Sequence, residues 1–75
     1  MRNMWHLVVN ADDQILAMCG SALPEWAEHQ YDTLTERYPG VALKRVVVIT
    51  EEKPHTGMYL KEFKELRIVK GKDGT

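Results

Sequence analysis

Apolar positions divide the chain into short segments that predict strands around one helix. The strongest segment is residues 41–50 (VALKRVVVIT), in which Val46, Val47, Val48 and Ile49 are consecutive β-branched residues. Such residues are restricted at χ1 and fit a pleated strand better than a helix. Successive side chains of a strand point to opposite faces, so this strand is apolar on both faces. That pattern is typical of a strand in the interior of a sheet.

Two apolar runs near the start of the chain predict a β-hairpin. Residues 4–10 (MWHLVVN) place Trp5, Leu7 and Val9 on one face of a strand, and residues 15–19 (ILAMC) are apolar again. The polar tetrad ADDQ lies between them and contains the aspartates that favour turns. Two strand-like runs separated by about four polar residues predict a hairpin.

A three- and four-residue spacing of apolar positions predicts one amphipathic helix of about 15–17 residues. Ser21 can cap its first turn, Pro24 suits a helix start, and the dipeptide Pro39-Gly40 ends it. The apolar stripe consists of Leu23, Trp26, Ala27, Tyr31, Leu34 and Tyr38.

The last third of the chain fits two patterns. Residues 58–69 (MYLKEFKELRIV) can form a short helical face or a strand, and we favour a fourth strand centred on residues 65–70, with a preceding helical turn left open. The predicted fold class is α+β: a small antiparallel sheet with one amphipathic helix packed on one face, in the order β-β-α-β(-β). Residues 1–70 form the predicted single domain, and the Gly-rich residues 71–75 are predicted to be a disordered tail.

Composition restricts how such a small domain is stabilised. A chain of 75 residues with a single cysteine forms no internal disulfide, and a core of this size supplies only about 3–5 kcal/mol net. Residues 1–40 carry two basic and six acidic residues, whereas residues 41–75 carry eight basic and five acidic residues. We therefore expect an electrically two-sided molecule. No signal-peptide core or membrane span is evident in the sequence, so the expected location is cytoplasmic.

One helix covers only one face of a sheet, yet both hairpin strands and the strand at residues 41–50 are apolar on both faces. A contiguous apolar sheet face is unusual for a soluble monomer. The sequence leaves three possible covers for the helix-free face: residues 58–63 folding back, a second copy of the chain, or another protein. The hypothesis is that this face is an interface, with a homodimer as one expected form.

A line of charged residues follows the outer face of the predicted helix. The carboxylates step by three and four residues, which places them on one helix face with a histidine beside them. The functional interpretation is an acidic docking surface for a larger protein or complex, and the alternative is an ordinary solvated face. This acidic helix face consists of Glu25, Glu28, His29, Asp32 and Glu36.

A second hypothesis uses the basic C-terminal half to bind nucleic acid. Basic residues recur at every third position, and Tyr59 and Phe63 would supply stacking rings. Glu62 and Glu65 interrupt the series, and solvated surface is the alternative explanation. The basic residues are Lys61, Lys64, Arg67 and Lys70.

No motif predicts catalysis, a metal or a cofactor. Cys19 ends an apolar strand, where a thiol is usually a small buried hydrophobe rather than a nucleophile. The histidines His6, His29 and His55 lack metal-ligand spacing. We therefore predict a non-enzymatic protein. A composite site at a dimer interface around Cys19 or His6 is the enzymatic alternative.

In size and style, the chain is similar to small modulators carried by bacteriophages and other mobile elements. The similarity consists of a short chain, a β-β-α-β order, an acidic helix and the lack of a catalytic signature, and it involves no motif. It implies a protein-binding modulator, such as an inhibitor or adaptor of a larger complex. The alternative is a nucleic-acid-binding accessory protein.

Overall fold

Residues 3–20 and 24–73, which the computed structural model describes, form four strands, one α-helix and one 3-10 turn. The strands make a single antiparallel sheet in the order β2-β1-β3-β4. The predicted α+β class is confirmed, with the order β-β-α-β-β. The elements are β1 (Asn3–Asn10), β2 (Ile15–Gly20), α1 (Pro24–Arg37), β3 (Leu43–Thr50), the 3-10 turn Leu60–Glu62, and β4 (Arg67–Asp73).

The β-branched run forms β3, which lies between β1 and β4 as predicted for an interior strand. Its register with β1 pairs Leu7 with Val46 and Trp5 with Val48. Val46 and Val48 therefore share one face with Leu7, whereas Val47 lies on the opposite face.

The predicted hairpin joins β1 to β2. The side-chain oxygen Oδ1 of Asn10 accepts hydrogen bonds from the backbone N–H groups of Asp12 and Gln14, each at 3.0 Å. Asp13 takes a positive φ of 61°, which aspartate tolerates better than most residues. A register shift between Val8 and Val9 leaves Leu16 as an extra residue in β2.

Helix α1 has 14 residues and ends at Arg37, so it is slightly shorter than the predicted span of about 15–17 residues. The helix packs on the face of the sheet that carries Val8, opposite the face of Leu7 and Val46. Its contact there is a small cluster of Val8, Ala17 and Leu43, against which Trp26, Tyr31 and Leu34 pack. Tyr38 follows the helix and is 49% exposed, so it adds little to the apolar stripe. The predicted Ser21 cap and the stripe residue Leu23 lie outside the described residues.

A second contact fixes the helix to the sheet through Arg45 of β3. Its guanidinium Nη1 lies 3.2 Å from Oε1 of Glu28, and its Cζ lies 5.7 Å from the centre of the Tyr31 ring. The ion pair and the cation–π contact both hold α1 over the same end of β3.

The helix-free face is covered by the chain itself. Residues 58–66, here called the cover segment, place Leu60 and Phe63 in a core with residues of β1, β2 and β3. Met58 and Leu66 pack against the same core. Of the three covers left open by the sequence, the structure has the internal one, which removes the original reason for treating this face as an interface. The sheet residues of this core are Leu7, Val9, Ile15, Val46 and Val48.

Backbone hydrogen bonds attach the start of the cover segment to the outer edge of β2. The N–H of Ile15 donates to the Met58 carbonyl at 2.8 Å, and the N–H of Gly57 donates to the Ile15 carbonyl at 2.7 Å. The N–H of Leu60 donates to the Asp13 carbonyl at 3.0 Å. The cover segment is thus fixed at a strand edge as well as by apolar packing.

The fourth strand is present, and a 3-10 turn precedes it. Strand β4 begins at Arg67, two residues after the start of the predicted segment 65–70, and continues to Asp73. It therefore includes residues 71–73 of the segment predicted as a tail, while residues 74 and 75 lie outside the described part of the chain. Val69 is an extra residue in its pairing with β3.

Candidate functional site

Helix α1 covers only one end of the sheet face on which it lies. Its apolar side chains contact the cluster around Val8, Ala17 and Leu43, and the helix packs mainly on β1, β2 and β3. The other end of this face, toward the start of β1 and across β4, carries side chains that α1 leaves partly or largely exposed.

Two rows of side chains run across the strands in this uncovered region. The register pairs His6 with Val47 and Val47 with Lys70, which forms the first row. The second row pairs Met4 with Ile49 and Ile49 with Arg67. Strand alternation places both rows on the same face as Val8, beside the helix. We call this surface the open half-face, and it consists of Met4, His6, Val47, Ile49, Arg67 and Lys70.

The open half-face is apolar in the middle and basic along β4. Met4 is 40% exposed, and the side chains of Val47 and Ile49 are half-buried. Arg67 and Lys70 are exposed. An apolar patch with charged groups at its border is the arrangement found at many protein contact surfaces.

A groove of about 360 Å³ separates the first row from the helix. Ala27 and Val47 supply apolar walls, whereas Arg45 and Lys70 supply positive charge and Glu28 supplies negative charge. Arg45 forms an ion pair with Glu28 across the groove. Lys70, the other basic residue that lines the groove, is exposed and lies on the edge strand β4.

Strand β4 forms an edge of the sheet next to this surface. Within the described residues it pairs with β3 alone. Ile68 is 58% exposed and Val69 is 46% exposed, so two neighbouring β-branched side chains of this edge strand face solvent. Ile68 is in register with Val48, which places it on the face opposite the open half-face.

The acidic helix face keeps all five of its predicted members exposed. One of them, Glu28, leans toward the sheet and pairs with Arg45. Part of the charge assigned to docking is therefore used inside the domain to hold α1 in place.

The four basic residues of the nucleic-acid hypothesis do not share one face. Lys61 and Lys64 belong to the cover segment on the helix-free side, where the Lys61 Nζ lies 5.6 Å from the centre of the Tyr59 ring. Arg67 and Lys70 lie on the open half-face, on the other side of the sheet. Phe63 is 8% exposed and belongs to the core, so it presents no ring for base stacking.

The structure places Cys19 opposite His6 across the β1–β2 pair, a juxtaposition that the sequence analysis missed. The register of the hairpin would have revealed this pairing, since both residues lie on the same face of the sheet. The thiol Sγ of Cys19, however, lies 3.5 Å from the Gly20 carbonyl oxygen, to which it donates a hydrogen bond. The pair therefore lacks the thiol-to-base hydrogen bond that activates a nucleophile.

The described residues contain no group of three or more His, Cys, Asp or Glu side chains that could hold a metal ion. No helix in the part of the chain with assigned positions is long and apolar enough to cross a membrane. Comparison with protein-family models, with curated proteins and with solved structures gives no match for this chain.

Proposed function

We propose that the chain is a small, non-enzymatic protein-binding domain that contacts a larger partner through the open half-face. The observation that carries this proposal is the incomplete cover on the helix side, where Met4, Val47 and Ile49 remain accessible beside Arg67 and Lys70. Apolar side chains supply the favourable desolvation of a contact, and charged groups at its border select the partner.

The size of the surface sets an expectation for affinity. A standard stable interface uses roughly 20–30 residues on each side, whereas the open half-face offers six side chains. It is therefore suited to a transient contact, or to one that extends along neighbouring parts of the fold. The acidic helix face is the other surface available for such an extension, toward a partner with basic groups.

The nucleic-acid alternative has less support. A phosphate-binding surface needs several cations on one face, and here Lys61 is separated from Arg67 and Lys70 by the sheet. A fluorescence anisotropy titration with single-stranded and double-stranded oligonucleotides at low salt tests it. Salt-dependent binding that Arg67→Glu and Lys70→Glu abolish would favour this alternative over protein binding.

Site-specific photocrosslinking in cells of the native host tests the proposed surface. A benzophenone amino acid is placed at Met4 on the open half-face, at Asp32 on the acidic helix face, and at Thr56 in an exposed loop as the matched control. We expect one discrete, nuclease-resistant protein adduct from Met4 and none from Thr56. The adduct is then identified, and the purified pair should form a stoichiometric complex.

Each arm of this experiment distinguishes one surface from another. A protein adduct from Asp32 alone would reject the open half-face and transfer the function to the acidic helix face. Equal adducts from Met4 and Thr56 would show random collision and reject the proposal. Adducts that disappear on nuclease treatment would support the nucleic-acid alternative instead.

A further inference from the structure

We infer that an acidic, extended segment of the partner adds to the sheet along the outer edge of β4. The inference rests on the proposed function, because it specifies the chemistry and geometry of a protein contact that begins at the open half-face. It commits to a partner with an alternating acidic and apolar sequence rather than to a second copy of this chain.

The two edges of the sheet differ in how their backbone groups are used. The chain itself pairs with the start of β2, through the hydrogen bonds of Ile15 with Met58 and Gly57. Strand β4 has seven residues and pairs only with β3 among the described elements. An exposed edge of this length can accept an added strand through main-chain hydrogen bonds.

The side chains of β4 define the partner on each face. Side chains of an added strand alternate between the two sheet faces. On the helix side they would lie next to Arg67 and Lys70, which favours carboxylates. On the opposite side they would lie next to the exposed Ile68, which favours apolar groups.

The charge of β4 also argues against a second copy as the occupant. Its sequence, RIVKGKD, contains three basic residues and one acidic residue. Two copies paired in the same direction would set Arg67 and Lys70 against their own counterparts, and two copies paired in opposite directions about position 70 would still set Lys70 against Lys70. Like charges directly opposite each other destabilise cross-strand pairs. The bulge at Val69 and the lysine at position 70 are features that keep sheet edges from pairing indiscriminately. An added strand with acidic side chains would be attracted to Lys70 rather than repelled by it, so the lysine does not oppose the pairing of such a strand.

Peptide binding followed by NMR tests the inference with defined probes. The acidic probe alternates Glu with Val or Ile and matches β4 in length. The first control replaces each Glu by Lys. The second control keeps the acidic sequence but carries N-methyl groups on alternate amides. These groups block main-chain hydrogen bonds along one edge of the peptide, so the test needs no change in the protein. All peptides are titrated into isotope-labelled protein.

We expect the acidic probe to shift the amide resonances of residues 67–73 and to slow their hydrogen exchange. Both control peptides should bind at least about tenfold more weakly. The double variant Arg67→Glu/Lys70→Glu should reverse the preference and bind the Lys peptide. Because both side chains are exposed, the urea concentration at the unfolding midpoint of this variant should match that of the unmodified protein.

Several results would overturn strand addition. No change in the β4 resonances up to about 1 mM acidic probe would reject it. Equal binding of the N-methylated peptide would show contact by side chains alone, and equal binding of the Lys peptide would remove the charge argument. A concentration-dependent shift of β4 without peptide would identify a second copy as the occupant. In each case a Met4 adduct in the crosslinking experiment would still support the open half-face, so the two proposals fail separately.

Discussion

Thr50 is a buried polar residue at the end of β3, and it is 1% exposed. Its hydroxyl Oγ1 donates to the Glu65 carbonyl at 2.7 Å and accepts from the backbone N–H of Glu52 at 3.2 Å. One side chain thus joins the end of β3 to the residues that lead out of it and to those that lead into β4. Removing a buried hydrogen-bonding group costs more than removing an exposed one, because water cannot replace it.

We therefore predict that Thr50→Val lowers the free energy of unfolding by about 1–3 kcal/mol. The matched control is Thr35→Val, because the Thr35 hydroxyl also donates to a carbonyl, that of Tyr31 at 2.8 Å, but on the exposed side of α1. The control should change stability by no more than about 0.5 kcal/mol. Urea unfolding monitored by circular dichroism measures both. Equal effects of the two substitutions would show that the Thr50 bonds have no structural role beyond those of a surface hydroxyl.

Gly57 lies at the point where the chain is bonded to the edge of β2. Its φ is +91°, and a Cβ atom built there would meet nothing within 4 Å. The requirement for glycine is therefore one of backbone conformation and not of space.

This distinction gives a prediction whose sign depends on chirality. Gly57→Ala should destabilise the protein by about 1 kcal/mol, whereas D-alanine at the same position, introduced by chemical synthesis, should stabilise it by about 0.5–1 kcal/mol. Gly71→Ala is the control, because its Cβ would lie 3.8 Å from the Arg45 carbonyl oxygen and its φ is not in the left-handed region. Thermal unfolding of these three variants and of the wild-type protein measures the changes in stability. A loss with both alanine enantiomers at position 57 would contradict the conformational explanation.

At the scale of elements, the cover segment is the part of the fold on which the second sheet face depends. Phe63 is 8% exposed and packs in the core with Leu7, Val46 and Val48. Its removal would open an apolar surface that extends over three strands. The segment has only one turn of 3-10 helix, so packing rather than local helix propensity holds it in place.

We predict that Phe63→Ala costs about 3–5 kcal/mol. Because the core of a chain this short supplies a net stability of about the same size, the variant should be largely unfolded by circular dichroism and NMR. Leu66→Ala, at a half-buried position, should lose less and remain folded. Ile68→Ala is the surface control, since its side chain is 58% exposed, and its stability should change by about 0.5 kcal/mol or less. A folded Phe63→Ala variant with a small loss would show that the helix-free face tolerates exposure.

The same element shows what the sequence could and could not predict. The β-branched run of β3 and the spacing in α1 have strong local signals, and the structure confirms both elements. The internal cover was one of three open alternatives, because the pattern of residues 58–69 fits both a short helix and a strand. Its position depends on pairing with Ile15, more than 40 residues earlier in the chain, and such a contact leaves no local pattern.

The open half-face was beyond sequence analysis for a related reason. Alternation in β3 predicts that Val47 and Ile49 share a face, and the structure agrees. The position of α1 on that face depends on tertiary contacts such as the ion pair of Arg45 with Glu28. Such a contact is not encoded in a periodic pattern, and the sequence predicted a surface on the opposite face of the sheet.

At the scale of the whole molecule, the chain reaches ordinary compactness without a second copy. Its radius of gyration is 11.4 Å, and a compact domain of this length is expected to have a value of about 11 Å. The homodimer predicted from the sequence drew its support from a helix-free face that would otherwise be bare. With the cover segment in place, the helix-free face no longer needs a second copy to cover it. The open half-face is a smaller apolar surface, and the adjacent edge strand β4 combines the exposed Ile68 and Val69 with basic residues.

We therefore predict a monomer in sedimentation velocity at about 10 μM, a concentration at which a contact of millimolar affinity is almost unoccupied. The expected species has the mass of one chain, 8.7 kDa. Val47→Glu places a charge in the middle of the open half-face and serves as the diagnostic variant. If the wild-type protein is a dimer and Val47→Glu dissociates it, the open half-face joins two copies of the chain. That result would contradict both the predicted monomer and the proposal that an acidic segment of another protein binds at β4. A dimer that survives this substitution would place the contact elsewhere and contradict the monomer alone, because the open half-face and the edge of β4 would then still be accessible to a partner.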